Sequence, residues 1–363
     1  MKIEIGKLDK NLVANGDTKR DDAVFYDVRK APFSIYGVTY DEAEGCFRRM
    51  PKEVAEKVSD GVLLRSTRAA GGRLRFSTDA EKIRLSVKFS AYCHLSYFAE
   101  SGANGFDLYL DDPGTKVSRF VKLFPFEPNQ REGYESEIVL SSRKLRCFTI
   151  HLSSYAAIAD LQIGLPSDAV LGPGLSYRPT KPIVYYGSSI TQGACASHPG
   201  NTYENIVCRK TDMDYLNLGF SAMAKGEPAM AEYIASLPQS VFVLDYDHNA
   251  PNVDHLKNTH QIFFNTYRRL QPDVPVIMLS RPGISSLAYQ AIQRRKDVIL
   301  ETYRNTRENG DKNVYYIDGE SMFRGPYEDL CLVDAVHPND LGFALMADAI
   351  LAVLERIGVN RNL

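Results

Sequence analysis

The sequence predicts two unlike halves: a β-rich sandwich or jelly roll, then an α/β domain built on a doubly wound parallel sheet. Three observations carry this. Apolar and polar residues alternate through about 62–165, a stretch rich in Pro and Gly interrupts the chain at 166–182, and beyond it short apolar runs alternate with segments long enough for crossover helices. The domains are accordingly set at 1–178 and 179–363, and a chain of 363 residues is long enough for both.

In the first half the clearest strand has Ile83, Leu85, Val87 and Phe89 alternating with Lys82, Arg84, Ser86 and Lys88. One face is apolar and the other wet, so the strand is half-buried. Similar runs recur at 106–110, 120–124, 138–140 and 148–152, separated by turn signals such as Gly71-Gly72, Asp111-Asp112-Pro113 and Pro128-Asn129. In the second half the strand candidates are 183–186, 215–218, 241–246, 276–279 and 314–317. A parallel doubly wound sheet binds ligands beyond the carboxyl ends of its strands, which is where functional residues are expected.

Composition excludes several classes. The 44% hydrophobic and 24% charged fractions suit a folded chain rather than a disordered one. Lys plus Arg number 43 against 45 acidic residues, and no basic run exceeds Arg294-Arg295-Lys296, so a nucleic-acid partner is not expected. The start, MKIEIGKLDKNL, lacks an apolar leader core, and no stretch is long and apolar enough to cross a membrane. Six cysteines are scattered singly, with no C-x-x-C pair, so neither a zinc cage nor a redox motif is spelled out and no metal or cofactor is expected. Free thiols fit a reducing compartment, and a cytoplasmic location is the expectation; an even cysteine count also tolerates disulfides if a leader has been trimmed.

Each strand end carries polar residues of interest. The first reads G-S-S-I-T-Q-G (187–193), placing Ser188 and Ser189 at the ligand edge. Taken alone, such a stretch is an ordinary strand-to-helix turn. The second is N-L-G-F-S-A (217–222) and the third D-Y-D-H-N-A (245–250), which sets Asn249 beyond an apolar strand. An amide N–H there suits a developing oxyanion, although Asn249 by itself is better explained by an Asx turn or a cap. Near the end, D-A-V-H-P-N (334–339) delivers Asp334 and His337 from one short loop. A serine hydroxyl needs an imidazole to accept its proton, and the imidazole needs a carboxylate to orient it. The strand-end serine turns this Asp-His pair from a helix-capping motif into a candidate relay.

These four segments, in this order and spacing, resemble the blocks of the SGNH (GDSL-type) hydrolases over about 182–363. The resemblance implies a flavodoxin-like three-layer fold and serine esterase or acylhydrolase activity. It implies Ser189 as nucleophile, His337 as general base and acid, and Asp334 as orienter. The oxyanion hole is implied at the backbone N–H groups of Ser189 and Ala222 and the side chain of Asn249. Two departures accompany it: Ser188 stands where the family usually has an aspartate, and Ala222 where it has glycine, so a positive φ there would be strained.

In the first half, G-F-D-L-Y (105–109), with F-R-R-M-P (47–51) and G-G-R-L-R-F-S-T-D upstream, is similar to the jelly-roll-type N-terminal domain that precedes a subset of SGNH esterases. The motif itself is read as packing, with Phe106, Leu108 and Leu110 in the core and Asp107 and Tyr109 facing out. His248 and Arg281 stand at strand ends as possible substrate contacts, with surface salt bridging the expected role of Arg281. Cys195 and His198 are read as loop residues lining the cleft. The expected activity is removal of short acyl groups, acetyl first, from a carbohydrate or similarly polar ester. The alternatives are a lipase or thioesterase on longer chains, or a glycan-binding protein whose esterase site has decayed.

Overall fold

The structure is a computed structural model that describes residues 23–283 and 289–359. The opening stretch MKIEIGKLDKNL, and the outer ends of both domain spans, lie outside the described residues.

The first half opens with β1 (Ala23–Asp27), β2 (Ser34–Tyr36), β3 (Thr39–Asp41), β4 (Cys46–Arg48) and the helices α1 (Lys52–Val58) and α2 (Asp60–Ser66). It continues with β5 (Arg73–Thr78), β6 (Lys82–Ala91), α3 (Glu100–Ala103), β7 (Asp107–Asp111) and β8 (Ser118–Leu123). The strands β9 (Gly133–Val139), β10 (Arg146–His151), β11 (Ala157–Pro166) and β12 (Leu171–Pro173) complete it. One antiparallel sheet runs β1-β11-β6-β9 and the other β12-β5-β10-β7-β8, with β2 also paired to β5. Leu74, Phe76, Leu108, Phe148 and Ile150 of the second sheet meet Ile83, Leu85, Val87, Ile158 and Ile163 of the first in one apolar core. This is a β-sandwich filled from both inner faces.

The second half contains β13 (Ile183–Gly187), α4 (Ser189–Gln192), α5 (Tyr203–Thr211), β14 (Tyr215–Gly219), α6 (Pro228–Ser236) and β15 (Val241–Asp245). It ends with α7 (Val253–Leu270), β16 (Val276–Leu279), α8 (Tyr289–Glu308), β17 (Val314–Ile317), α9 (Gly319–Met322) and α10 (Asp340–Ile357). The sheet is parallel, in the order β14-β13-β15-β16-β17. Because side chains alternate along a strand, its two faces feed two separate cores. Val184, Tyr186, Phe242, Leu244 and Met278 pack with Ile234, Phe263 and Tyr267 on one side, and Ile183, Tyr185, Val243 and Ile277 with Val207, Phe343 and Ile350 on the other. These are the three layers of the flavodoxin-like arrangement, whose switch point lies beside β13.

Two sequence expectations in the first half need correcting. The alternating pattern does not begin at Val62, because residues 52–66 form α1 and α2. Pro51 stands at the start of α1, and Ser59 caps α2 by accepting a hydrogen bond from Val62 N. Ala55 and Val62, with Met50, are buried in the same core as Val184, Leu218 and Phe242, so this segment belongs by packing to the parallel-sheet half. Asp107 and Tyr109 do not face solvent either. They are 0% and 3% exposed, because the face of β7 that points away from the sandwich core is covered by the second half.

There Asp107 accepts hydrogen bonds at 2.6 Å from His151 Nδ1, His198 Nδ1 and Gly200 N. The first partner is in the sandwich and the other two are in the loop after α4, so one carboxylate joins the halves. Tyr109 lies under the guanidinium of Arg209, 4.5 Å from its ring centroid. At Gly102 in α3 a side chain would come within 1.9 Å of Ala196 O, so only glycine allows this approach. Burial opposes ionisation of Asp107, but the two imidazoles, His151 foremost, outweigh it and hold the carboxyl well below its ordinary range.

A depressed carboxyl stabilises the fold fully above its unfolded value and loses that stabilisation as pH falls through the folded one. Asp107→Asn is therefore expected to cost about 3 kcal/mol near neutral pH. The gap from the parent should hold down to about pH 3.8 and close only below it, as read from urea midpoints across pH.

Candidate active site

The parallel sheet brings the polar strand ends to one edge. Ser189 opens α4 directly after β13, and Ser188 caps that helix by accepting a hydrogen bond from Ile190 N at 3.2 Å. A serine hydroxyl and an aspartate do the same work at an N-cap, so the departure at Ser188 leaves the turn capped. Gly187 lets the turn fold tightly: a Cβ there would meet Thr191 Oγ1 at 2.0 Å and Asp245 O at 2.4 Å. Below, Thr191 donates to Asp245 Oδ2 at 3.2 Å, and Tyr203 OH donates to Thr191 Oγ1 at 3.2 Å. Ser189 is thus held on a turn anchored at both ends.

Ser189 Oγ lies 2.8 Å from His337 Nε2, and His337 Nδ1 lies 2.8 Å from Asp334 Oδ2. The other oxygen of Asp334 accepts from the backbone N–H groups of His337 at 2.8 Å and Val336 at 3.1 Å. Burial acts to raise the Asp334 pKa, but the His337 backbone and ring outweigh it, so the carboxyl sits below its ordinary value and stays ionised. The loop closes on itself through Val333 N donating to His337 O at 2.9 Å, and Asn339 rather than Asp334 caps α10. A hydroxyl, an imidazole and a carboxylate joined in this order form the relay that activates a serine toward an acyl carbon.

Beyond β14, Ala222 has φ of 63°, the left-handed conformation that its lack of glycine was expected to strain. Ser221 N donates to Gln192 Oε1 at 2.9 Å and Asn217 Nδ2 to Thr191 O at 2.6 Å, so this turn is tied to the Ser189 turn. Asn249, beyond β15, donates to Phe220 O at 2.8 Å, which fixes its amide and leaves its second N–H without an acceptor among the described residues. Among the described residues neither Ser189 N–H nor Ala222 N–H has a protein acceptor. The three sequence-selected donors therefore stand at neighbouring strand ends.

The remaining candidates separate. His248 is half-buried, but its Nε2 is buried and without a partner among the described residues; burial, then Arg281 and His337, hold it neutral. Arg281 is not a surface salt bridge: it is half-buried and donates to Ala335 O, inside the Asp-His loop, at 2.8 Å. Cys195 is buried, with its thiol pushed up to about 12 by burial and by Asp334, too high to act as a thiolate. His198 is held by Asp107 at the interface.

Sequence reasoning missed the sandwich's own contribution. Phe98 packs edge-on against His337, ring centroids 5.7 Å apart, and Tyr155 OH donates to Ser189 O at 3.2 Å. Neither residue carries a sequence signal, because each reaches the site only through the docking of the two halves.

A flavodoxin-like sheet with a Ser-His-Asp relay at its switch point defines a serine hydrolase. Residues 180–355 match the GDSL-like Lipase/Acylhydrolase family, and residues 23–171 match the N-terminus of SGNH-hydrolase-type esterases known as GxDLY. The chain belongs to this two-domain group of SGNH esterases and is a carboxylic ester hydrolase. A GDSL-like lipase from Bacteroides ovatus is similar at 25% identity and TM-score 0.82, over 93% of this chain and 98% of that one. A salicylyl-acyltransferase from a tetracycline biosynthetic pathway is similar at 19% identity and TM-score 0.74, over 94% and 98%. A family two carbohydrate esterase from Cellvibrio japonicus shares the fold at 13% identity and TM-score 0.57, over 92% and 98%. No curated protein matches the chain.

Left-handed backbone costs an alanine about 1 kcal/mol more than a glycine. Ala222→Gly is therefore expected to raise unfolding stability by about 1 kcal/mol while turnover is retained. A urea midpoint that does not rise would show the turn to be unstrained.

Proposed function

We propose that the chain is a serine esterase that removes short acyl groups, acetyl foremost, from a carbohydrate or similarly polar ester. The observation that carries this is the unbroken Ser189–His337–Asp334 relay, 2.8 Å at each link, beside three unspent N–H donors. In the mechanism, Ser189 Oγ attacks the ester carbonyl as His337 Nε2 takes its proton. Asp334 holds the imidazolium, while Ser189 N–H, Ala222 N–H and the Asn249 amide receive the oxyanion. His337 then protonates the departing alcohol, and a water deprotonated by the same ring cleaves the acyl-enzyme.

The acyl length follows from the crowding of the nucleophile. Ser189 is 9% exposed, with Tyr155 bonded to its carbonyl and Phe98 against its base, which suits a small acyl group better than a long chain. A sugar substrate is supported by the fold shared with a family two carbohydrate esterase and by Tyr97, exposed next to Phe98. An aromatic ring at a cleft mouth offers an apolar face to a sugar's C–H surface while its hydroxyl stays wet.

Ser189→Ala is expected to lower p-nitrophenyl acetate turnover by about 10⁴-fold or more with the fold intact by circular dichroism. Undiminished turnover would remove the assignment. Across p-nitrophenyl esters from acetate to decanoate, kcat/KM should fall beyond the shortest chains; a rise toward decanoate would favour a lipase or thioesterase. Tyr97→Ala should weaken deacetylation of acetylated oligosaccharides more than that of p-nitrophenyl acetate, measured as acetate release. Equal losses on both substrates would remove Tyr97 as a sugar contact.

A further inference from the structure

The F-R-R-M-P segment is unexplained by the relay, yet it holds a buried charge. Arg49 is 5% exposed, and no carboxylate pairs with it among the described residues. Its guanidinium instead faces five neutral acceptors, four carbonyls and one side-chain amide oxygen: Nε donates to Arg68 O at 2.9 Å and Nη2 to Arg65 O at 2.8 Å, while Nη1 shares its two N–H groups among Asn217 O at 3.0 Å, Asn217 Oδ1 at 3.2 Å and Gly219 O at 2.5 Å. The guanidinium also lies over the Phe220 ring, 4.7 Å from its centroid. Burial pushes its pKa down to about 9, which leaves it cationic at neutral pH.

A buried cation with only neutral partners is costly to keep, and packing alone would be served as well by an apolar side chain. What Arg49 grips is specific. Asn217 lies mid-strand in β14 and Gly219 ends it, and Phe220 follows into the turn at Ala222. Asn217 passes the restraint to the Ser189 turn through Thr191 O, and Phe220 O receives the Asn249 amide. One guanidinium from the first half thus touches the root of two of the three oxyanion donors.

We infer that Arg49 is a positioning residue for the oxyanion hole, reaching from the sandwich half to lock the Asn217–Ala222 turn of the hydrolase half. This rests on the proposed roles of Ala222 and Asn249. A second buried arginine serves as an internal control. Arg73, 0% exposed, crosses the same interface to the opposite end of β14, donating to Asp214 Oδ1 and Tyr215 O, each at 2.8 Å, away from the turn.

The test compares Arg49→Lys with Arg73→Lys in the full chain. A lysine keeps the charge but cannot span five acceptors. Both variants should lose thermal stability. Arg49→Lys should also lower kcat on p-nitrophenyl acetate by about 100-fold with little change in KM, because a small misplacement of the donors acts on the transition state. Its affinity for a short alkyl boronic acid, which mimics the tetrahedral oxyanion, should fall by the same factor. Arg73→Lys should keep kcat within about 2-fold, the range of an effect unrelated to the donors. Should Arg49→Lys fail to fold, Phe220→Leu removes the ring under the guanidinium and should lower kcat by about 10-fold, a smaller fraction of the donor contribution.

Equal kcat losses in Arg49→Lys and Arg73→Lys, or an unchanged kcat in whichever of Arg49→Lys and Phe220→Leu folds, would overturn the inference. Ser189→Ala run alongside separates the two levels. If it too retains turnover, the relay assignment fails; if it is inactive while the Arg49 and Phe220 variants are not, only the role of Arg49 does.

Discussion

The carboxylate of Asp107 is the contact on which the geometry of this esterase depends. It is wholly buried and takes three short hydrogen bonds, one from its own sandwich and two from the loop that follows the Ser189 helix. Breaking a buried pair of this kind leaves an uncompensated charge, so the interface is held in a single arrangement. Everything that the sandwich contributes to the cleft follows from that docking. Phe98 against His337, Tyr155 on Ser189 O and Arg49 over Phe220 all require the two halves to meet in this one way.

Seen in that light the β-rich half is a wall and a brace of the catalytic cleft. It also lends α1 and α2 to the core of the parallel sheet, so the boundary in the chain and the boundary in packing do not coincide. The two arginines that cross the interface hold β14 at opposite ends, Arg73 at its start and Arg49 at its finish. Among the described residues that strand pairs with one strand, β13, and the sandwich restrains it on a second side.

The parts legible from sequence were those whose signal is local. Fully apolar runs mark the parallel strands, and polar residues just after each run mark the ligand edge, which singles out Ser189 and Asn249; Asp334 and His337 stand apart from any strand end and are marked by their own short motif and by the family resemblance. The strain at Ala222 was legible for the same reason, since it concerns one residue's backbone. Asp107 was misplaced because period-two alternation says only that a side chain leaves the sandwich core. It does not say whether water or another domain lies on the far face. Residues 62–66 were misread as alternating because they lie in a helix of 7 residues, too short to show a helical period. Arg49 and Phe98 were invisible because their partners lie far along the chain.

The central claim is that the cleft exists only while both halves are docked. It is tested most directly by titrating the full chain with urea and measuring two quantities at each concentration: the rate at which a small fluorophosphonate labels Ser189, and the hydrogen exchange of peptides from β6 and β11. The account predicts that labelling collapses in the same transition that exposes the sandwich strands. Full-rate labelling of Ser189 after β6 and β11 have unfolded would contradict it.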